Sequence, residues 1–242
     1  MLILAIDTST RTGSVALLRD DVVIDSVSGY EETPHSTRLF RDLDVLQKRA
    51  EFRLDQIELF AVAAGPGSFT GLRVGLTAVK AWAEVHAKPI AAVSGLEAIA
   101  AQSKSLNGAG RAESIMLAPF LDARRGQLFG SLYRIQEGNP RALESMSDES
   151  ILTAEEFVDV VRGTSDLATC TLISSTPEIL PANLIESRLP GIHTETVSAV
   201  LAPTIGRLGF ERAKRGKLID ALRLDANYVR RSDAEKPWKD AG

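Results

Sequence analysis

The residues best suited to chemistry stand in a turn that follows an apolar run, at positions 65–71. Two glycines, a serine and a threonine precede a long amphipathic segment, and backbone amides at a helix start can bind phosphate. A Walker A loop would need Lys and then Ser or Thr where Leu72 and Arg73 follow the last glycine. A dinucleotide fingerprint would need its third glycine where Thr70 stands. The spacing therefore predicts a strand-to-helix joint, with Ser68 as the helix N-cap.

The other catalytic residue types form no recognisable constellation. The three histidines, His35, His86 and His193, lie far apart in the sequence. A serine protease needs a Ser–His–acid arrangement, and Ser68 has no base near it in sequence, so a helix cap is the better interpretation. The single cysteine, Cys170, lies in an apolar run and excludes a multi-cysteine metal site. We predict no catalytic residue and no metal site in this chain.

Length, composition and charge are those of an ordinary globular protein. The chain has 242 residues, a net charge of −4, a pI near 5.5 and 25% charged residues. A protein that binds RNA without a partner more often has a basic surface, so the negative net charge argues against RNA binding by this chain alone. The first apolar run ends at Asp7, too early for a signal peptide, and no run approaches the length of a membrane span. We expect a cytoplasmic protein.

The first half alternates short apolar runs with helical periodicity. Apolar runs predict strands at 2–6, 14–18 and 22–27, joined by short turns as in an antiparallel meander. A helical stripe follows His35, and a fourth strand at 59–64 leads into the helix that Ser68 caps. A fifth strand at 90–93 and a helix to about residue 102 complete a mixed sheet with crossover helices.

The second half restages this pattern. Residues 114–129 repeat an apolar strand, an aspartate at its end, a turn with glycine and a return strand, so Asp122 corresponds to Asp7. We predict a return strand at 128–135 and a capping box that opens a helix at Thr153. Further along, the pattern predicts a strand at 171–174 and a helix at 196–214. The expected units are residues 1–106, a smaller lobe at 107–215 whose last helix is a candidate to pack back on the first lobe, and a polar tail at 216–242.

The signature Gly-Pro-Gly-Ser-Phe-Thr-Gly-Leu-Arg at 65–73 resembles that of the TsaB (YeaZ) family. The N-terminal stretch 3–17, His35-Ser36 and the segment 227–235 agree with it. That family supplies the non-catalytic partner subunit for bacterial synthesis of N6-threonylcarbamoyladenosine (t6A) at adenosine 37 of tRNA. The resemblance implies an α/β fold of two ribonuclease H-like lobes with actin-like (ASKHA) architecture, in which the second lobe is abbreviated.

The resemblance also implies partners and cofactors. The chain would pair with the catalytic paralogue TsaD and form a homodimer when alone, and it would meet the ATPase TsaE and tRNA only within the complex. We expect no cofactor on this chain alone, and an adenine nucleotide at the interface of the complex is left open. The catalytic paralogue holds its metal with an H-x-x-x-H pair on the first helix, whereas Leu39 stands four residues after His35 here.

Four groups of site residues follow from the resemblance and the helical stripes. The vestigial phosphate hairpin is Asp7, Thr8 and Ser9, and the tail docking residues are Arg230 and Arg231. The signature loop comprises Gly65, Pro66, Gly67, Ser68, Phe69, Thr70, Gly71 and Arg73. The partner interface comprises Leu39, Leu43, Leu46, Leu72, Gly75, Leu76, Ala78, Val79 and Trp82. An ATP-dependent enzyme of the actin/hexokinase class, kinase or ATPase, and less so a protease, remain as alternative functions.

Overall fold

The first sheet contains the strands that the apolar runs predict. A computed structural model describes residues 1–29, 33–107, 115–136, 139–164 and 167–229. The strand order is β3-β2-β1-β4-β5, in which the β1–β2–β3 meander is antiparallel and β4 and β5 are parallel to β1. The strands are β1 (Leu2–Asp7), β2 (Ser14–Arg19), β3 (Val22–Ser28), β4 (Leu59–Gly65) and β5 (Ile90–Ser94).

Side chains of this sheet alternate between two cores because successive strand residues point to opposite faces. Two long helices, α1 (His35–Ala50) and α2 (Phe69–His86), cover the face to which Leu4 and Ile6 point. Ser68 caps α2 by accepting a hydrogen bond from the amide of Gly71 at 3.2 Å, as its position predicts. We call this sheet with α1 and α2 the first lobe.

The second sheet repeats the topology of the first. Its main path is β10-β7-β6-β11-β12, with the same sequence of antiparallel and parallel pairs, and β8 and β9 add a hairpin beside β6. The strands are β6 (Met116–Arg124), β7 (Gln127–Gly130), β8 (Tyr133–Gln136), β9 (Asn139–Ser145), β10 (Ser150–Thr153), β11 (Cys170–Ser174) and β12 (His193–Thr196). This duplication was predicted from the pattern alone.

The helices of the second lobe are short. The helix α4 (Ala154–Arg162) follows β10, with the predicted capping box between Thr153 and Glu156, and α5 (Ala182–Arg188) follows β11. They have 9 and 7 residues, against 16 and 18 in α1 and α2. The second lobe is therefore abbreviated in its helices and not in its strands.

Each lobe sends its last helix to the other lobe. The helix α3 (Gly95–Ala100) follows β5 but packs on β6 and β11, whereas α6 (Ala202–Lys214) follows β12 and packs across β1, β2, β4 and β5. Close approach of α6 depends on two glycines: a Cβ on Gly206 would lie 2.3 Å from Leu18, and one on Gly209 would lie 2.8 Å from Ala61. The exchange joins the two sheets through one continuous core.

The chain after α6 is packed on the first lobe. We call residues 217–229 the strap. Ile219 exchanges two backbone hydrogen bonds with Ile90 at the edge of β5, at 2.8 and 2.9 Å. Leu224 is fully buried beside the residues under α1 and α2, and the amide of Asn227 donates to the carbonyl of Ala64 at 2.7 Å. The region that the sequence predicts to be a polar tail thus begins as part of the first lobe.

Two local predictions differ from the structure. The return strand expected at 128–135 is divided into β7 and β8, because β7 pairs with β10 while β8 pairs with β9. The helix expected at 196–214 begins at Ala202, since residues 193–196 form β12 beside β11.

Short 3-10 helices occupy Leu54–Gln56, Lys104–Asn107, Leu167–Thr169 and Pro177–Ile179. In the described part of the chain, no helix combines the length and apolar character that a membrane crossing needs.

Candidate functional site

The vestigial phosphate hairpin is closed on itself. The Asp7 carboxylate accepts hydrogen bonds from the amide and hydroxyl of Ser9, at 2.7 and 2.6 Å, and from the hydroxyl of Thr10 at 3.0 Å. Asp7 is 1% exposed, and Thr8 and Ser9 are each 3% exposed. The polar groups that could meet a phosphate are therefore buried and already hydrogen-bonded within the chain.

The signature loop is what covers this hairpin. The amide of Ser68 donates to the carbonyl of Ser9 at 2.8 Å, and the hydroxyl of Thr8 donates to the carbonyl of Gly71 at 2.7 Å. A Cβ on Gly67 would lie 2.5 Å from the carbonyl oxygen of Ser9. Farther along α2, a Cβ on Gly75 would meet the Thr8 hydroxyl at 2.4 Å. These glycines permit close backbone packing, so the loop acts as a structural joint.

The beginning of the signature loop contacts the strap. Gly65 has φ +121°, and a Cβ there would lie 2.5 Å from the carbonyl oxygen of Asn227. On the other side, the Pro66 carbonyl faces Gly95 at the start of α3. Ser68 and Thr70 are exposed, and Arg73 projects from the first turn of α2. The loop thus connects β4 to α2 and contacts both the start of α3 and the strap.

His35 packs at the start of α1. Its ring lies against Gly13 and Gly71, with Cδ2 3.3 Å from where a Gly71 Cβ would be. Burial and the nearby Arg38 guanidinium lower the pKa of His35. Among the described residues, no group of three or more His, Cys, Asp or Glu side chains is placed to hold a metal.

The second hairpin differs from the first in exposure. Asp122 accepts a hydrogen bond from the amide of Arg124 at 2.7 Å, which repeats the bond between Asp7 and Ser9. The Asp122 side chain is nevertheless 40% exposed, and Arg124, Arg125 and Gly126 all have positive φ. The two predicted aspartates thus occupy equivalent positions in the two sheets, but Asp7 is buried and Asp122 is exposed.

The residues predicted as the partner interface line the chain's own core. Each of these side chains is at most 8% exposed except that of Trp82, which is partly buried; Gly75 lies against Thr8. The buried members are Leu39, Leu43, Leu46, Leu72, Leu76, Ala78 and Val79. The stripes that we read as an interface therefore face the first sheet. An interface on α1 and α2 stays a prediction, and its contacts would have to come from other side chains.

The outer side of these two helices carries exposed apolar groups. Phe40 of α1 is 56% exposed and Val85 of α2 is 77% exposed. Trp82 stands on Phe40 edge to face, with ring centroids 6.2 Å apart, and its other contact is Phe60 in the sheet at 6.1 Å. We call Phe40, Trp82 and Val85 the apolar patch. In the sequence, Val85 ends the second apolar stripe of α2 and Phe40 lies beside the stripe of α1, but neither is among the predicted interface residues.

A partly buried carboxyl links the two lobes and the strap. Glu149 accepts hydrogen bonds from the hydroxyls of Ser94 and Tyr133 and from the side-chain amide of Asn227. Burial raises the pKa of Glu149, and burial together with this carboxyl raises the pKa of Tyr133. Sequence reasoning missed this cluster because its members are separated by 16 to 78 residues.

A cavity of about 420 Å³ lies between the end of α2 and the strap. It is lined by Ala83, Glu84, Lys88, Ile219 and Asp220 among others, and by no residue of the hairpin or the signature loop. The predicted docking residues Arg230 and Arg231 lie outside the described residues. The strap reaches the signature loop at Tyr228, whose ring centroid is 5.0 Å from that of Phe69.

The duplicated mixed sheet, the exchanged last helices and the paired aspartate hairpins define a protein of the actin-like class. The structure of a ROK hexokinase from Thermus thermophilus shares this fold, with a TM-score of 0.54 over 88% of this chain and all of that chain, at 11% identity. The YeaZ structure from Pseudomonas aeruginosa is more similar, with a TM-score of 0.71 and 25% identity over 94% of this chain and 99% of that chain.

Sequence comparisons identify the family within that class. The tRNA threonylcarbamoyladenosine biosynthesis protein TsaB of Bacillus subtilis is 32% identical over 98% of both chains. Its counterpart in Escherichia coli is 34% identical over 57% of both. The family model for TsaD, tRNA N6-adenosine threonylcarbamoyltransferase, matches residues 31–159. The chain belongs to the TsaB family of tRNA threonylcarbamoyladenosine biosynthesis proteins, which confirms the resemblance read from the signature loop.

Proposed function

We propose that this chain is the non-catalytic partner subunit of a threonylcarbamoyl-transferase complex and pairs with TsaD through the outer side of α1 and α2. The observation that carries the proposal is the apolar patch. Phe40 and Val85 are more than half exposed, Trp82 contacts both Phe40 and Phe60, and Val85 follows Trp82 by three positions on α2. Exposed aromatic and aliphatic groups that adjoin one another mark interaction surfaces, and Trp is enriched at interface centres.

Two features support a partner role over catalysis by this chain. The Asp7 carboxylate, which would face phosphate in a working enzyme of the class, is buried and accepts three hydrogen bonds from its own hairpin. The loop glycines that could have surrounded a phosphate are packed on that hairpin. Family membership and the match to the TsaD model support pairing between two related folds.

In this proposal the chain stabilises the active arrangement of TsaD. The threonylcarbamoyl group of threonylcarbamoyl-AMP is then transferred to N6 of the target adenosine by TsaD, in the cytoplasm. The Arg230-Arg231 region docks in the complex near TsaE or tRNA, and an adenine nucleotide at the subunit interface is left open. When TsaD is absent, a second copy of the chain covers the same helices in an isologous dimer.

Co-purification of this chain with TsaD from the same organism tests the pairing surface. Phe40→Asp and Val85→Glu place charges in the apolar patch, and Val160→Glu, on α4, is the matched control because Val160 is 41% exposed on the second lobe. We expect the first two variants to lose TsaD while keeping the wild-type melting temperature, and the control to retain TsaD. Wild-type recovery of TsaD with Val85→Glu and Phe40→Asp would contradict the proposed surface.

Isothermal titration of Mg-ATP separates this proposal from an ATP-dependent enzyme. The scaffold account expects no binding by the chain alone, and any affinity should emerge only after TsaD is added. Tight binding of ATP by the isolated chain would favour a kinase or ATPase.

A further inference from the structure

Three side chains, the partly buried Phe69 and the exposed Arg73 and Tyr228, form a cluster near the start of α2. The Arg73 guanidinium lies over the Phe69 ring, 3.9 Å from its centroid, and its Nε donates to the Tyr228 hydroxyl at 3.3 Å. The Phe69 and Tyr228 rings are 5.0 Å apart between centroids. Tyr228 is 39% exposed and Arg73 is exposed. We call Phe69, Arg73 and Tyr228 the stacking platform.

The helix start and the hydrogen bonds of a neighbouring residue fix the position of the platform. Phe69 is the first residue of α2, directly after the Ser68 cap. Tyr228 follows Asn227, whose backbone amide donates to the Ala64 carbonyl and whose side-chain amide donates to the partly buried Glu149. Binding to a surface that is already ordered avoids much of the entropy cost of fixing side chains.

The charge of the platform is available to a ligand. Within the ranges that the structure describes, Arg73 has no carboxylate partner; its contacts are the two rings. A planar cation beside two aromatic rings suits a ligand that has flat bases and negative phosphates.

We propose that the stacking platform binds an unpaired base of RNA, with Arg73 serving both as a stacking surface and as a contact for the adjacent phosphate. The proposal rests on the proposed function in so far as tRNA is the substrate of the complex. The platform is an open surface, so it offers a lone nucleotide few contacts, whereas an RNA strand adds neighbouring phosphates and bases. With a net charge of −4, the chain by itself binds RNA weakly.

The platform and the apolar patch are separate places on the same helix. Arg73 and Trp82 are nine positions apart in α2, which corresponds to about 14 Å along the helix axis. The two surfaces can therefore be altered independently. Variants of the platform should leave pairing with TsaD intact, and variants of the apolar patch should leave RNA binding by the isolated chain intact.

Fluorescence anisotropy with a labelled RNA stem-loop, at low salt and with the full chain, tests the platform. The probes are a stem-loop with an unpaired loop, a fully paired duplex of similar length, and AMP as a competitor. The variants are Tyr228→Ala and Arg73→Gln, with Tyr228→Phe as the variant that keeps the ring. Arg162→Gln is the matched arginine control, since Arg162 is exposed on α4 of the second lobe.

The wild type should bind the stem-loop more tightly than the duplex, with an affinity that falls as salt rises. Tyr228→Ala and Arg73→Gln should each weaken binding about tenfold, whereas Tyr228→Phe and Arg162→Gln should match the wild type. The proposal is overturned if the wild type does not bind the stem-loop or binds the duplex equally well, or if Arg73→Gln and Tyr228→Ala bind normally. Displacement by AMP at a similar affinity would assign the platform to a free nucleotide and overturn it too. Co-purification of the same variants with TsaD reports on the proposed function separately.

Discussion

Gly71 of the signature loop lies directly against Thr8 of the first hairpin: the Thr8 hydroxyl donates to the Gly71 carbonyl at 2.7 Å, and a Cβ on Gly71 would stand 2.0 Å from the Thr8 carbonyl oxygen. The residue pair joins the vestigial phosphate hairpin to the signature loop. In this chain each motif is the other's packing partner. The residues of the signature are therefore accounted for by packing: they let the start of α2 lie directly against the turn that follows β1.

Adding a methyl group at this joint should destabilise the fold. Gly71→Ala and Gly75→Ala place a Cβ against Thr8, and overpacking of this kind costs about 1–3 kcal/mol. Urea denaturation gives the free energy of unfolding. Gly163→Ala is the control, because the nearest atom to its Cβ would be 3.5 Å away. Equal stability of Gly71→Ala, Gly75→Ala and the wild type would show that the joint is not closely packed in solution.

The Asp7 carboxylate should matter for stability. Asp7→Asn removes the charge that receives three hydrogen bonds in a buried hairpin, and such a loss costs about 1–3 kcal/mol. The equivalent Asp122→Asn should change stability by about 0.5 kcal/mol or less, because that hairpin is exposed. Thermal and urea unfolding of the two variants check this contrast. Similar losses at both positions would argue against the sealing of the first hairpin.

The strap should contribute to the stability of the first lobe through Leu224. Leu224→Ala creates a cavity in a fully buried place, for which about 2–5 kcal/mol is expected. Leu222, two residues earlier, is 91% exposed, so Leu222→Ala is a matched control that should stay within about 0.5 kcal/mol of the wild type. Urea denaturation measures both. If the two substitutions have equal effects, the strap is not docked in solution.

Glu149 should make stability depend on pH. Burial raises its folded-state pKa above the ordinary value of 4.5, so the folded chain binds this proton more tightly than the unfolded chain does. Its effect on stability is therefore most favourable below pH 4.5 and is lost as the pH rises through the raised pKa. Glu149→Gln cannot ionise and should gain stability relative to the wild type over that range.

Urea denaturation at a series of pH values tests this difference. Tyr133, which donates to Glu149, and the nearby Glu97 face the same place, so both are left unchanged. Glu155→Gln, which removes an exposed carboxyl of α4, is the control. A constant difference between Glu149→Gln and the wild type at all pH values would mean that Glu149 is not buried as described.

The sequence predicted the elements better than it predicted which way their side chains face. The Ser68 cap, the five strands of the first sheet and the duplication follow from local patterns, and such patterns can be read from one sequence alone. The helical stripe of Leu39, Leu43 and Leu46 was read as an interface, but a stripe has the same periodicity whether it faces a partner or the chain's own sheet. The interface prediction left out Phe40, which lies beside the stripe of α1, and Val85, which ends the second stripe of α2, although both are exposed.

Contacts between distant segments have no local signal in the sequence. The last helix is named there only as a candidate to pack back on the first lobe, as α6 does, and the contacts of Asn227 with Ala64 and Glu149 are not predicted. A glycine such as Gly65 indicates a position where another segment can pack closely on the backbone. Only the structure shows that this segment is the strap.

The most direct test of the account is the rate at which TsaD transfers threonylcarbamoyl to tRNA as this chain is titrated into the reaction. The account predicts that the wild type and Val160→Glu raise the rate to the same plateau, and that Val85→Glu fails to raise it while remaining folded. Full stimulation by Val85→Glu and Phe40→Asp would contradict the claim that this chain acts by pairing through α1 and α2.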